Sequence, residues 1–315
     1  MSHVANLVRW SLLIAGLVVT TGWWRGSPPG VEIGASSEFV AAVSSGTPLS
    51  EPLRILVTND DGIDAPGLLA LVKELSRLGD VVVAAPMENK SGISHATTFL
   101  SQPLRVEERT MDGAVFACAV GGTPADAVNF GVVHLGRERK FDLVVSGINA
   151  GANIGEVAHL SGTVGAALEG AMLGLPSIAV SQGSRGQDFA FSAAVTARFI
   201  EAMTRHGWTP HTVYSINVPS SDPAAIRGVT AARMGGSSFR IDRYQETRDE
   251  ATGEVRYRAV AAPAGEPPAG SDAAAFRAGR ITITPLRFDW TDDMAMESLR
   301  GLDLSALLPA PTQTP

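Results

Sequence analysis

From Leu53 onward, short apolar runs alternate with longer stretches whose apolar residues recur at helical spacing. Residues 53–57, interrupted only by Arg54, have the length of a buried strand, which ends at Thr58. After the loop 59–65, Pro66 stands where a helix can begin, and Leu68, Leu69, Leu71, Val72, Leu75 and Leu78 keep helical spacing until Gly79. Residues 81–85 read as a second strand. Strand, helix and strand within about thirty residues predict a right-handed crossover and a parallel sheet covered by helices. The alternation continues with a helix over 124–135, a strand over 141–145, a helix of small residues over 162–173, a strand over 176–181 and a helix over 189–206. Residues 104–108 and 114–120 flank a turn at Asp112 and Gly113 and predict a hairpin beside the sheet. The fold expected is a doubly wound α/β architecture. Beyond Asn217 the signals weaken: 251–272 is loop-rich, and 280–288 alternates like a strand, with Pro285 at a sheet edge or near a strand end.

The segment before the first strand has a different pattern. Arg9 precedes an apolar run over residues 10–24, broken only by Ser11, Thr20, Thr21 and glycines. That is the length of a signal-peptide core and is short for the roughly 20 residues of a spanning helix. Export, anchoring through 10–24 and a misassigned start all stay open. Residues 28–50, rich in Pro, Gly and Ser, read as a linker. The division expected is therefore 1–50 for the apolar segment and linker, 51–219 for an α/β core, and 220–315 for a peripheral extension serving oligomer contacts.

Composition narrows the chemistry. A net charge of -7 over 315 residues leaves no basic footprint for a nucleic-acid polymer, although a small anion can still bind in a local pocket. Cys118 is the only cysteine, so internal disulfides and thiolate zinc clusters are excluded, and a metal must be held by oxygen or histidine ligands.

In open parallel sheets, ligands collect outside the C-terminal ends of the strands. Three oxygen-rich loops follow predicted strands: Thr58-Asn59-Asp60-Asp61-Gly62, the loop 86–98 with Ser91-Gly92, and the run 146–153 with Asn149 and Asn153. Adjacent carboxylates repel unless a cation or donors neutralise them. Hard cations such as Mg²⁺ and Mn²⁺ favour the oxygens that Asp60, Asp61, Ser91 and Asn149 supply. The plainer alternative is an Asx-turn in which Asn59 and Asp61 shape the loop and Gly62 provides positive φ. Ser161-Gly162-Thr163 opens a helix whose first turn can bind an anion, or Ser161 is simply its cap. His95 and His159 lie in candidate loops as proton donors or as solvated side chains, and Gly121 to Pro124, with Thr123, either shapes a pocket wall or starts a helix. No Walker-type loop and no spaced-glycine fingerprint follows the first strand, which disfavours nucleoside triphosphates and NAD.

These motifs, with Ala65-Pro66-Gly67, Ala84-Ala85-Pro86, Gly122-Thr123-Pro124-Ala125-Asp126, the run from Ser146 to Gly155 and Ser161-Gly162-Thr163-Val164, resemble in identity and order those of the SurE family, the stationary-phase survival proteins and 5′-nucleotidases. The resemblance covers 53–183 closely, and more loosely Ile216 to Pro219 and Thr282 to Leu286. It implies a Rossmann-like sheet with helices on both faces and a Mg²⁺ or Mn²⁺ site on Asp60, Asp61, Ser91 and Asn149, with Asp60 and Asp61 as the catalytic pair. It further implies a substrate-facing set of Asn59, Gly92, His95, Thr123, Asn153, Ser161, Gly162 and Thr163. The activity implied is hydrolysis of nucleoside 5′-monophosphates by metal-activated water, extending to 3′-monophosphates and short polyphosphate, in a homodimer or homotetramer. A phospho-aspartyl route is disfavoured because aspartate phosphatases of the haloacid type need an Asp-x-Asp arrangement. The alternative from another class is an exported nucleotide-binding protein without turnover. The chain departs from the family by its extra N-terminal residues, which set export against a cytoplasmic location, and by Leu160, where Tyr or His is expected.

Overall fold

The computed structural model describes residues 52–183, 188–237 and 239–308, so the apolar segment 10–24 and the linker 28–50 lie outside the described residues. The first crossover unit forms as its periodicity requires: β1 (Leu53–Thr58), α1 (Pro66–Leu75) and β2 (Gly79–Pro86), with β1 and β2 parallel and Leu53 opposite Gly79. Leu68, Leu71, Val72 and Leu75 form the buried stripe of α1, whereas Leu69 on its other side stays exposed. β3 (Val106–Arg109) and β4 (Phe116–Val120) follow, then α2 (Pro124–Phe130), which runs on into a wider turn over Gly131–Leu135. Next come β5 (Leu143–Ala150), a short 3₁₀ turn (Gly155–Leu160), α3 (Gly162–Met172), β6 (Ser177–Gln182), α4 (Ala190–His206) and β7 (Val213–Val218).

The sheet has nine strands in the order β3-β4-β2-β1-β5-β6-β7-β11-β8, completed by β8 (Val229–Ala231) and β11 (Ile281–Leu286). The six strands from β4 to β7 are mutually parallel. Strand alternation sorts their side chains between two layers. Ile55, Val57, Val83, Val145 and Val180 pack with the apolar stripes of α1 and α4, whereas Leu56, Ala84, Cys118 and Val144 pack with α2 and with Ala166 of α3. Helices thus cover both faces of a doubly wound sheet. From β1 the chain order proceeds outward to β2 and β4 on one side and to β5, β6 and β7 on the other, so the topological switch point lies between the C-terminal ends of β1 and β5.

Three expectations change in detail. The hairpin expected beside the sheet is part of it: β4 pairs in parallel with β2, and β3 closes that edge antiparallel to β4. The strand expected to stop at Val145 runs on to Ala150, with a shift of register against β6 between Ser146 and Asn149. Ser146 and Asn149 therefore sit on a strand end rather than in a free loop. The segment after Val218 has two parts. β11 inserts between β7 and β8, antiparallel to β7 and parallel to β8, and buries Ile281, Thr282 and Thr284, with Pro285 one residue before the strand's end. β9 (Phe239–Arg248) and β10 (Val255–Pro263) form a separate, largely exposed hairpin, and α5 (Asp272–Arg277) and α6 (Asp293–Arg300) flank β11 in sequence. Among the described residues no helix is long and apolar enough to cross a membrane.

Candidate active site

The turn after β1 is built by Asn59. Its Oδ1 accepts the Gly62 N–H at 3.2 Å and its amide donates to the Gly62 carbonyl at 2.8 Å, while Gly62 holds φ +104°, a conformation that side chains resist. Asn59 is fully buried, and its amide is consumed in this clasp. Asn59 and Gly62 form the Asx-turn, and that turn leaves Asp60 and Asp61 at the switch point.

Asp60 is 2% exposed, and its Oδ1 accepts the Thr163 hydroxyl at 2.5 Å. The N-terminus of α3 approaches so closely that a Cβ on Gly162 would stand 2.8 Å from the Asp60 Cβ and 3.2 Å from the Lys90 carbonyl oxygen, so glycine is a packing requirement there. The Lys90 N–H donates to the Asp60 carbonyl at 2.6 Å, tying the loop after β2 to the same point. Asp61 is less buried; it accepts the Ala150 N–H at 3.3 Å and the Asn89 amide at 3.2 Å. Asn89 in turn accepts the Ser91 N–H at 2.9 Å, which links Ser91 to Asp61 through one side chain.

Burial pushes the Asp60 carboxyl above its ordinary range, and the charge of Asp61 adds to this against the hydrogen bond from Thr163. Burial likewise raises Asp61, against the bonds from Ala150 and Asn89. Two neighbouring carboxylates thus lack enough solvent or donors to carry both charges comfortably, the condition a divalent cation relieves. Asn149 adds a neutral donor: its amide nitrogen is fixed on the Gly151 carbonyl at 2.7 Å, and its Oδ1 accepts no hydrogen bond among the described residues. The hydroxyls of Thr58 and Ser146, register partners on β1 and β5, are buried and also lack partners among the described residues. Among the described residues no group of three or more His, Cys, Asp or Glu could hold a metal; the oxygens gathered at this point are carboxylate, amide and hydroxyl, the kind that Mg²⁺ and Mn²⁺ prefer.

Other expected residues have different surroundings. Thr163 is fully buried and turned to Asp60, so its hydroxyl is not the exposed phosphate contact expected at a helix start. Thr123 caps α2 in a capping box, accepting the Asp126 N–H at 3.1 Å while its own N–H donates to Asp126 at 2.9 Å. Asn153 is held by Asn217 and Ser181, at 2.8 and 2.9 Å, and is 6% exposed. Both residues thus have partners within the chain that hold α2 and the segment after β5 in place. His95 pairs with Glu169 on α3 at 2.8 Å. Ser161 caps α3 through the Val164 N–H at 3.2 Å, and Gly92 stands in open space with φ +76°. His159 packs edge-on against Trp290, with ring centroids 6.1 Å apart. Sequence reasoning missed Asn89 and Lys90, although their position directly before Ser91-Gly92, in the loop leaving β2, was the available signal.

The family model described as Survival protein SurE matches residues 55–240. A protein of Moorella thermoacetica named 5′-nucleotidase SurE is 42% identical over 265 residues, covering 82% of this chain and 98% of the relative. One of Rhodopirellula baltica with the same name is 38% identical over 254 residues, covering 80% and 99%. The crystal structure of the SurE protein from Aquifex aeolicus superposes with a TM-score of 0.68 at 36% identity, covering 78% of this chain and 98% of that one.

Proposed function

The chain belongs to the SurE family, and from that premise we propose that it is a metal-dependent phosphomonoesterase acting on nucleoside 5′-monophosphates. The observation that carries this reading is the pair Asp60 and Asp61 at the sheet's switch point, both destabilised as charges by burial, beside the free Oδ1 of Asn149. Asp60, Asp61, Asn149 and Ser91 would hold a divalent cation, Mg²⁺ or Mn²⁺. Such a cation supplies positive charge to the phosphate and lowers the pKa of water.

The chain's own residues supply the rest. Thr163 fixes the Asp60 carboxylate, Asn89 and the Ala150 N–H fix that of Asp61, and the pair orients the attacking water in line with the departing nucleoside oxygen. The first turn of α3, brought against Asp60 by Gly162, presents the positive end of its dipole to the phosphate, while Ser161 caps the Val164 N–H and the Thr163 backbone bonds Asp60. Activity on 3′-monophosphates and short polyphosphate belongs to the same proposal, since the residues described grip phosphate and not the base. The assembly proposed is a homodimer or homotetramer using the C-terminal extension.

Phosphate release from adenosine 5′-monophosphate and from p-nitrophenyl phosphate, with Mn²⁺ and with EDTA, tests the reading. Release that needs Mn²⁺ and stops with EDTA is expected. Nucleotide binding without release would instead indicate a binding protein that keeps the pocket without turnover.

A further inference from the structure

A cleft of about 1550 Å³ opens beside the N-terminus of α3, lined in part by Ser94 and His95 of the loop that also carries Ser91. His95, His159 and Ser161 line one wall, and the end of β11 with the loops around β8 and α5 lines the other. Its charge is one-sided. Arg233, Arg280 and Arg287 line it, and no Asp or Glu does, although the chain has 32 acidic residues against 25 basic ones. None of the three guanidinium groups makes an ion pair or hydrogen bond among the described residues; Arg287 acts on Asp289 only at longer range. Some exposed arginines elsewhere pair with neighbouring carboxylates, as Arg243 does with Asp242 and Arg256 with Glu254, whereas Arg198 and Arg258 stand apart on other surfaces without an ion pair among the described residues. Free guanidinium groups over walls of low polarity focus positive potential, which draws anions, and their planar forks fit phosphate oxygens. The same cleft has a planar face: Trp290, 73% exposed, stands edge-on to His159, while Leu168 and Leu286 supply apolar wall. An anion alone would not need that surface, whereas a nucleoside would.

The cleft is a neighbour of the candidate centre, although Asp60, Asp61, Ser91 and Asn149 do not line it. Ser161 lines it, and the next residue, Gly162, packs against Asp60. Consecutive Cα atoms are about 3.8 Å apart, so its near end starts roughly one residue from the carboxylate pair.

We propose that this cleft is a subsite for a second phosphate on the substrate, which makes nucleoside bisphosphates the preferred substrate class. The proposal rests on the phosphomonoesterase reading above. Water attacks the phosphorus held at Asp60 and Asp61, the ester P–O bond breaks, and the nucleoside oxygen takes a proton that water releases. The products are inorganic phosphate and a nucleoside monophosphate whose remaining phosphate lies among Arg233, Arg280 and Arg287.

The test compares kcat/KM for adenosine 3′,5′-bisphosphate and adenosine 5′-monophosphate at saturating Mn²⁺, in the wild-type chain, in Arg280→Gln and in Arg287→Gln, with Arg198→Gln on the exposed side of α4 as the control. The wild type should favour the bisphosphate by about tenfold. That ratio should collapse toward one in either cleft variant and persist in the control. A wild-type ratio near one, or a ratio untouched by both cleft variants, overturns the subsite. Calorimetric binding of the same two nucleotides is measured in parallel, so that loss of all hydrolysis, which would overturn the enzyme reading, still leaves the subsite open to test: tenfold tighter bisphosphate binding that depends on Arg280 or Arg287 supports it, and equal binding refutes it. Inorganic tripolyphosphate separates phosphate recognition from nucleotide recognition. Its binding as tightly as the bisphosphate would remove the nucleoside from the proposal.

Discussion

At the scale of single residues, hydrogen-bond partners sort the polar side chains around the switch point. Two adjacent carboxylates in a strand-end loop announce an electrostatic problem in any sequence, and Asp60 and Asp61 do lie together at the switch point. Asn59, Asn153 and Thr123 have polar side chains like those of the candidate ligands, but each uses hydrogen-bonding groups on backbone or neighbouring side chains, which only three-dimensional neighbours reveal. Thr163 is the instructive case. Its hydroxyl donates to Asp60 at 2.5 Å inside a fully buried contact, so Thr163→Val removes the one side-chain donor from a carboxylate that keeps its backbone hydrogen bonds. A lost hydrogen bond to a charged group costs about 1.5–3 kcal/mol, so Mn²⁺ affinity should fall about tenfold or more while affinity for inorganic phosphate changes little. Calorimetry with each ligand checks this, and a loss confined to phosphate would restore Thr163 as an anion contact.

At the scale of elements, strands and helices were readable because their apolar periods are strong: α1 and α4 begin and end within a few residues of expectation. Pairing partners were not readable. Nothing local distinguishes a β3–β4 hairpin beside a sheet from one completing its edge, since the choice depends on β4 meeting β2. The loop between β2 and β3 is likewise held by distant partners. Asp126, at the start of α2, accepts the Thr98 hydroxyl at 2.6 Å and the Thr98 and Phe99 N–H groups at 2.8 and 3.2 Å. Burial alone would raise the Asp126 carboxyl, but the hydrogen bonds from Thr123, Thr98 and Phe99 outweigh it and hold it below its ordinary value. A lowered folded pKa means stability that is complete above the unfolded value, near pH 4, and is lost as the pH falls through the folded one. Asp126→Asn should therefore lower the melting temperature at pH 7 and flatten its fall in acid. An unchanged acid limb in thermal melts would assign that limb to other carboxylates.

At the scale of the whole molecule, the β9–β10 hairpin accounts for the assembly proposed above. Its register places Phe239, Ile241, Tyr244 and Tyr257 on one face with Ala259 and Ala261, and the four large side chains are 38, 47, 65 and 63% exposed. A face this apolar, on a two-stranded ribbon that packs on little else, fits contact with a second copy of the chain. Ile241→Glu should shift the species seen by sedimentation toward monomer at unchanged fold; an identical distribution for both proteins would place the contact elsewhere. The weak signals beyond Asn217 hid this, because exposed strands alternate without marking a core. The central claim, that Asp60 and Asp61 together hold a catalytic divalent cation, meets its most direct test in Asp61→Asn, which keeps the shape of the side chain and deletes one charge. Mn²⁺ titration of phosphate release should show weaker metal binding and turnover lower by roughly a hundredfold. Without metal, the variant should be as stable as wild type or more stable by a few tenths to about 1 kcal/mol, since burial already disfavours both charges. Release within about threefold of wild type at saturating Mn²⁺ would contradict the account.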